Sequence, residues 1–372
     1  MMVLAVFLLC FAHYSIEKEE TAQMKKLLMS AGVLLQFAAL AVPGIAATAT
    51  FQVLATPFNG SAVLAVSGDG SVIAANYFGE IYRWTAAGGF QDLGPGDPNN
   101  GSIAISRDGT AITTGIIGSD GFATPGLWTA SGWQDLGHPS NGCTPIGNAW
   151  GDGWGVNGNG TAVVGLAWTC QDAEGFVWTK KSGARSLGYP QGHSSRASAI
   201  SANSRTIVGF WEGNSGRRPV RWVDFGKPQL FLGANAAGEA YAVSSDGTQI
   251  VGQNIPAGAT EAIAFVYSDA AGVTYLGTLS GKSGDQSFAN GVSDNGIVVG
   301  WSGNFRSGEP GFIWTRTLGL QSLQTELSKL GANIPTTVTS ITPLAISANG
   351  STIVGTGVEN RKSINWIATL AR

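Results

Sequence analysis

The sequence predicts an all-β fold, a seven-bladed β-propeller of four-stranded blades whose ring is closed by an N-terminal strand that completes the last blade. Three observations predict this fold. A short phrase occurs seven times, an aromatic position follows each occurrence, and the two ends of the repeated region complement each other. An open β-solenoid is the alternative, but its ends would need caps instead of complementary strands.

The composition fits short strands separated by tight turns. The chain of 372 residues contains 54 Gly and 12 Trp, and only 12% of its residues are charged, about half the ~25% of ordinary soluble domains. Its net charge of −3 differs from the basic balance of nucleic-acid binders. We therefore expect no nucleic-acid partner.

The first two strands of each blade are predicted from the recurring phrase. It places a small residue, an aliphatic residue and Ser or Asn before a Gly-containing turn, and it begins at Ala65, Ala104, Gly155, Ala199, Ala242, Gly291 and Ala345. The Asp-Gly or Asn-Gly pair favours a tight hairpin because these residues tolerate positive φ. The small first residue fits the crowded strand nearest the axis, and a repeat of roughly 45 residues is the length of one blade.

The third and fourth strands follow each hairpin. The third contains an aromatic residue that we expect to pack between blades, at Trp84, Trp128, Trp178, Trp222, Tyr267, Trp314 and Trp366. The fourth is a phrase such as Gly-Trp-Gln-Asp-Leu-Gly, which ends at Gly137. Four short strands per unit, repeated around an axis, leave only short edges exposed.

The seventh unit lacks a fourth strand, because the sequence ends at Arg372 after the third. The segment from Thr50 to Phe58 reads as that missing strand. We expect the two ends to pair and to close the ring.

One stretch departs from the strand pattern. Leu323, Leu327 and Leu330 lie at helical spacing, and Gly331 is a stop signal. This pattern predicts a short helix near residues 322–331 whose leucines dock on the ring.

Residues 24–49 have the features of a secretory signal peptide, with two lysines, an apolar stretch and small residues at the cleavage point. A transmembrane anchor is the alternative for this segment. Residues 1–23 precede a complete signal, so we interpret them as an extension from a misassigned start codon. Residues 50–372 then form a single propeller domain, secreted or periplasmic, with no membrane span in the mature chain.

The phrases AVSSDGTQIVG and AFVYSDAAGVTYLGTL resemble the HAF repeats of exported bacterial proteins, often described as probable extracellular repeat proteins. The run that starts SLQTELSKLGANIP is similar to the end of that repeat domain in autotransporter passengers. The resemblance covers about residues 50 to 370. It implies a secreted β-propeller-like domain, and it implies little about function.

Candidate binding residues lie in the loops that vary between units. Loops between second and third strands, and between blades, share one face of a propeller, where binding residues gather. Aromatic rings beside carboxylates suit a carbohydrate, because sugars stack on rings and hydrogen-bond to polar groups. The candidates are Trp150, Asp152, Trp154, Trp168, Asp172, His193, Arg217 and Asp285, with Arg218, Glu239 and Arg306 on the same face. The alternative for the tryptophans is that they pack the loops against the blade.

Two cysteines of the mature chain, Cys143 and Cys170, lie in loops that we expect on the same face of one blade. Two cysteines in an exported chain predict a disulfide. The bond would hold two long loops.

The sequence contains no HExxH, GxSxG or P-loop motif. Asp69, Asp108 and Asp246 recur in the turns, but Asn stands at the equivalent positions 159, 203, 295 and 349. A turn permits that exchange, whereas a catalytic or calcium-binding carboxylate would not. We therefore expect no catalytic residue, no metal and no cofactor.

The resulting prediction is a monomeric, non-enzymatic exported propeller whose variable loops bind a glycan, another ligand, or an envelope or extracellular protein. A carbohydrate-active enzyme of the glycosidase or lyase type is one alternative, with acids among Asp152, Asp172, Glu174, Glu239 and Asp285. Two of these acids about 5–9.5 Å apart would favour it. A purely structural cell-envelope protein is the other alternative.

Overall fold

Seven antiparallel four-stranded sheets form a β-propeller, so the predicted fold class is confirmed. The computed structural model describes residues 49–139, 149–169, 172–188, 190, 193–214, 216–304 and 310–370. Residues 1–48 with the predicted signal, the predicted Cys143–Cys170 disulfide, and Arg306 lie outside these ranges. No helix of the described ranges is long and apolar enough to cross a membrane.

Each of the first six blades takes its strands in chain order. Blades 1 and 2 contain β2 (Val63–Val66), β3 (Val72–Tyr77), β4 (Glu80–Thr85), β5 (Gly89–Pro95), β6 (Ala104–Ile105), β7 (Ile112–Ile117), β8 (Ala123–Thr129) and β9 (Gly132–Asp135). Blades 3 and 4 contain β10 (Gly151–Val156), β11 (Ala162–Thr169), β12 (Asp172–Thr179), β13 (Gly183–Ser186), β14 (Ser195–Ile200), β15 (Thr206–Gly213), β16 (Gly216–Val223) and β17 (Pro228–Gln229).

The remaining elements complete the ring. Blades 5 and 6 contain β18 (Gly238–Val243), β19 (Ile250–Asn254), β20 (Ile263–Ser268), β21 (Gly272–Tyr275), β22 (Gln286–Val292), β23 (Val298–Gly303), β24 (Gly311–Thr315) and β25 (Gly319–Ser322). The helix α1 (Leu323–Lys329) follows. Blade 7 contains β26 (Val338–Ile346), β27 (Thr352–Glu359), β28 (Lys362–Thr369) and β1 (Thr50–Val53).

The ring closes through β1, as the sequence predicts. This strand pairs antiparallel with β28, with Thr50 opposite Thr369. The prediction extends this strand to Phe58, but β1 ends at Val53, because the chain then crosses to blade 1. There Leu54 and Phe58 enter the core cluster between blades 7 and 1.

The recurring phrase forms the hairpin between the first and second strands, and its Ser organises the turn. In blade 1 the buried Ser67 hydroxyl donates to Asp69 Oδ1 at 2.7 Å and accepts from the Val72 N–H at 3.0 Å. Gly70 takes the positive φ of +81°. The Gly of the pair therefore takes the positive φ of the tight hairpin, whereas the Asp or Asn before it supplies an acceptor oxygen.

A β-bulge interrupts the first strand of blades 3 to 7. The bulged residues are Trp154, Ser198, Tyr241, Asn290 and Leu344. The second strand presents a Gly there, at positions 165, 209, 252, 300 and 355, where a Cβ would lie only 1.9–2.2 Å from a carbonyl oxygen of the bulged strand. Blade 1 has Ala75 at this position, and its register is unbroken. The bulge thus explains the repeated Val-Gly of the phrase.

Among the described residues, the hydrophobic core consists of seven clusters, one between each pair of neighbouring blades. Each cluster includes one of the seven third-strand aromatic residues, which confirms their predicted position between blades. Trp222 and Trp366 are fully buried. Phe51 of β1 packs on Trp366 with ring centroids 5.6 Å apart, so the closing strand covers the last interface.

We call the face that carries these hairpin turns the turn face, and the opposite face the loop face. Hydrogen bonds join neighbouring turns around the turn face, for example from Gly68 N to Arg107 O and from Asn349 N to Gly68 O, both at 2.9 Å. Arg107 of blade 2 also forms an ion pair of 2.6 Å with Asp294 of blade 6. Because these blades are not neighbours, the ion pair crosses the axis.

A cavity lined by residues of all seven blades lies on the axis beside this ion pair. The last residues of the first strands line this cavity of about 160 Å³, namely Val66, Ile105, Val156, Ile200, Val243, Val292 and Ile346. Arg107 and Ser245 also line this cavity, so its lining combines apolar and polar groups.

The helix α1 forms where the leucine spacing predicts it. Ser322 is its N-cap, and its side chain accepts from the Thr325 N–H. Leu323 and Leu327 are fully buried in the cluster between blades 6 and 7. The expectation that Leu330 docks as well is wrong, because the helix ends at Lys329 and Leu330 is 39% exposed.

Candidate functional site

Charged residues occupy the loop-face ends of three consecutive inner strands. Asp152 in β10, Arg196 in β14 and Glu239 in β18 stand at equivalent positions, five residues before the turn Ser or Asn. The adjoining bulges interrupt the regular alternation of side chains, as bulges near functional sites often do.

Arg196, Arg217 and Glu239 form a cluster of two guanidinium groups around one carboxylate, which we call the guanidinium cluster. Arg196 Nη2 donates to Glu239 Oε1, and Arg217 Nη1 donates to Glu239 Oε2 at 3.3 Å. The Glu239 side chain is 4% exposed, that of Arg196 13% and that of Arg217 53%. The cluster therefore joins blades 4 and 5 and presents one guanidinium to solvent.

Aromatic faces support both guanidinium groups. Arg196 Cζ lies 3.8 Å from the ring centroid of Trp154, and Arg217 Cζ lies 4.1 Å from that of Phe210. Such contacts are favourable and hold the planar group in one orientation. Beside them, burial and the charge of Glu239 raise the pKa of Tyr241 to about 12.

Asp152 lies toward blade 2 and approaches Asp97. A Cβ placed on Gly115 would be 2.3 Å from Asp152 Oδ1 and 3.3 Å from Asp97 Cβ, so the two side chains are neighbours. Burial, and secondarily the charge of Asp97, raises the pKa of Asp152 to about 7. Asp97 accepts from the Asn99 N–H at 3.0 Å. We call these residues the Asp97–Asp152 pair.

Two polar atoms of β10 are buried without a hydrogen-bond partner among the described residues. They are Asp152 Oδ1 and Trp154 Nε1. More than about 90% of buried polar groups in proteins have a hydrogen-bond partner, so these two atoms are unusual. They provide one acceptor and one donor for a ligand at this end of the strand.

Trp150 and Trp168 lie together near the rim of blades 2 and 3, where the Trp168 N–H donates to the Trp150 carbonyl at 2.8 Å. The Trp150 indole stacks on His138, with ring centroids 4.0 Å apart, and donates to Asp120 Oδ2 at 2.8 Å. These contacts hold the Trp150 side chain against its own loops, as the packing alternative describes.

The other predicted residues are dispersed over the loop face. His193 Nε2 lies 2.9 Å from Asn214 Oδ1 in blade 4, and Arg218 bonds to the carbonyls of Ala234 and Glu212. Asp285 accepts from Ser280 and Asn304 in blade 6. Asp172 begins β12.

Glu174 follows in β12, where it accepts from Ser186, and burial raises its pKa. Among the predicted acids, Asp152 has a second carboxylate beside it. That carboxylate belongs to Asp97, which the sequence analysis did not name as a candidate.

The structure thus brings Trp154, Arg217 and Glu239 together, as predicted members of one loop face. Sequence reasoning missed Arg196, Phe210, Tyr241 and Asp97. The sequence does distinguish Arg196. Its position, five residues before the turn Ser or Asn, holds a charged residue in blades 3 to 5, whereas blades 1, 2, 6 and 7 hold the uncharged residues Ala62, Gly101, Phe288 and Thr342.

Within the described ranges, no three His, Cys, Asp or Glu residues are grouped closely enough to hold a metal ion.

Comparisons with known proteins agree on the fold. No family model and no curated protein matches this chain, so membership of the HAF-repeat family stays a prediction. The β-propeller domain of the Trilobed protease from Pyrococcus furiosus is 12% identical, with a TM-score of 0.54, and the match covers 84% of this chain and 94% of that one. That domain has an open velcro topology, whereas β1 closes the ring here.

Two oligogalacturonate lyases are also similar. The enzyme from Vibrio parahaemolyticus is 12% identical with a TM-score of 0.52, over 87% of this chain and 97% of that one. An oligogalacturonate lyase in complex with manganese is 13% identical with a TM-score of 0.53, over 87% and 96% of the two chains. At such identities the likeness establishes a propeller fold and no activity.

Proposed function

We propose that the protein binds a glycan at the guanidinium cluster without reacting with it. The observation that carries this proposal is the cluster of charged groups stacked on aromatic faces, beside Trp154 Nε1, a buried donor with no partner among the described residues. Sugar rings and hydroxyls suit a surface that combines aromatic and charged groups.

The cluster is better suited to binding than to proton transfer. Both oxygens of Glu239 already accept hydrogen bonds from guanidinium groups. Glu239 therefore serves as a fixed counter-charge that holds Arg217 in place.

A panel of immobilised glycans tests the proposal, with purified protein starting at residue 50. We expect binding to at least one class, and W154A should weaken it about tenfold, as expected for a residue at the centre of an interface. Y275A is the matched control, because Tyr275 is an exposed aromatic residue on the outermost strand of blade 5. Equal binding by W154A and the parent protein would contradict the proposed position.

A glycosidase is the second candidate, and the Asp97–Asp152 pair favours it. A carboxyl with a pKa of about 7 beside a second carboxylate is an arrangement that acid–base catalysis uses. In the same panel, release of reducing sugar that D152N abolishes would favour this candidate over simple binding.

We also propose that the chain is exported, since residues 24–49 carry the pattern of a signal peptide. N-terminal sequencing of the protein from its natural source tests this, and a mature chain that retains residues 24–45 would contradict it.

A further inference from the structure

We infer that the glycan bound at the guanidinium cluster is acidic, and that Arg217 binds a uronate carboxylate of it. This inference rests on the proposed function and adds the chemical class of the ligand.

The charge of the cluster is the first reason. Two guanidinium groups share one carboxylate, so Arg196, Arg217 and Glu239 together carry one excess positive charge, in a chain whose net charge is −3. Glu239 is almost completely buried, whereas half of the Arg217 side chain faces solvent. The charged group of the cluster that a ligand can contact is therefore the Arg217 guanidinium.

Arg217 is held ready for a planar anion. Its guanidinium lies on the Phe210 ring, 4.1 Å from Cζ to the centroid, and its Nη1 bonds to Glu239. A guanidinium has five N–H donors in a rigid fork, which matches the two oxygens of a carboxylate. Because neighbouring groups already fix the plane of the Arg217 guanidinium, the Arg217 side chain loses little further conformational entropy when an anion binds.

Arg196 acts as a positioning residue in this arrangement. It is largely buried, stacks on Trp154, and uses Nε on Ser198 at 3.2 Å and Nη2 on Glu239. Its bonds fix Glu239, and Glu239 in turn fixes Arg217. The exposed member of the pair is thus the one that contacts the ligand.

The sharpest test changes only the charge of the ligand. Hexasaccharides of galacturonate and of glucuronate are compared with their methyl esters, which keep the sugar and remove the negative charge. The protein should bind at least one uronate about 10- to 100-fold more tightly than its ester, the range for a hydrogen bond between charged groups. The difference should shrink at high salt.

A second test changes the protein. R217A should lose this preference and bind uronate and ester alike, and R217K should keep part of it because the charge remains without the fork. R205A is the matched control, since Arg205 lies in the same blade near the turn face and pairs with Asp224 there. It should retain the full preference.

The outcomes separate the two proposals. Equal binding of uronate and ester by the parent protein overturns the acidic ligand and leaves glycan binding intact. A preference for uronate that persists in R217A overturns the role of Arg217. If neither the uronates nor neutral glycans bind, both proposals fail.

Discussion

Asp152 illustrates how one buried carboxyl makes stability depend on pH. Its Oδ1 has no partner among the described residues, and its pKa of about 7 lies well above the ordinary 3.8. Because the folded-state pKa is raised, the protonated carboxyl favours the folded state below about pH 4, and this contribution is lost as the pH rises through 7.

The substitution D152N should therefore stabilise the protein at alkaline pH. It replaces the carboxyl by a neutral group of similar shape, so we expect a gain of more than about 1 kcal/mol at pH 8 and little change at pH 4. Urea unfolding at both pH values measures it.

The matched control is D69N, because hydrogen bonds from the Ser71 backbone and from Ser67 lower the pKa of Asp69. That variant should gain nothing at pH 8. A D152N variant that is less stable than the parent at pH 8 would show that the ionised carboxylate has a favourable partner.

At the scale of the element, the inner hairpin combines a turn that all seven blades share with a bulge that five of them have. The bulge requires Gly on the facing strand, since the carbonyl of the bulged strand occupies the space of a Cβ. Repeated glycines of this kind are packing residues and not turn residues.

We predict that G300A destabilises the protein strongly. The new Cβ would lie 1.9 Å from the Phe288 carbonyl oxygen and 2.7 Å from the Phe312 ring, and overpacking of this kind costs about 1–3 kcal/mol or more. The reverse change A75G, at the equivalent position of unbulged blade 1, should cost only about 0.5–1 kcal/mol. Thermal unfolding of both variants measures the difference. If G300A and A75G lose the same stability, the bulge is not the reason for the Gly at position 300.

The sequence predicts the repeated parts well and the site only in part. Turn, strand and interblade aromatic positions recur seven times, so their periodicity shows what each residue does. Arg196 and Phe210 act through neighbours that are distant in sequence, such as Glu239 in the next blade, and no periodic pattern reveals that pairing. The bulges, too, depend on the contact between two strands and not on local propensity.

At the scale of the whole molecule, stability comes from the seven clusters between blades and from the pairing of β1 with β28, which closes the ring. β1 contributes the fourth strand of blade 7 and places Phe51 on Trp366. The interface between blades 6 and 7 is therefore completed by residues from both ends of the domain.

Removal of residues 49–53 should weaken the whole ring. The loss of four paired residues and of the Phe51 contact should reduce the free energy of unfolding by about 3 kcal/mol. Q52A serves as the control, because the exposed Gln52 side chain should contribute less than about 0.5 kcal/mol. Urea unfolding that is unchanged by the deletion would mean that blade 7 is stable with three strands.

The turn chemistry also leaves the surface charge of this protein free to change. Since a turn needs only an acceptor oxygen, Asp69, Asp108 and Asp246 can each become Asn, as in the other four blades, without a change of fold. Those three exchanges alone would bring the formal net charge from −3 to zero. Solubility depends on net charge. Exchanges between Asp and Asn in these turns can therefore change the solubility of the protein while the blade geometry stays the same.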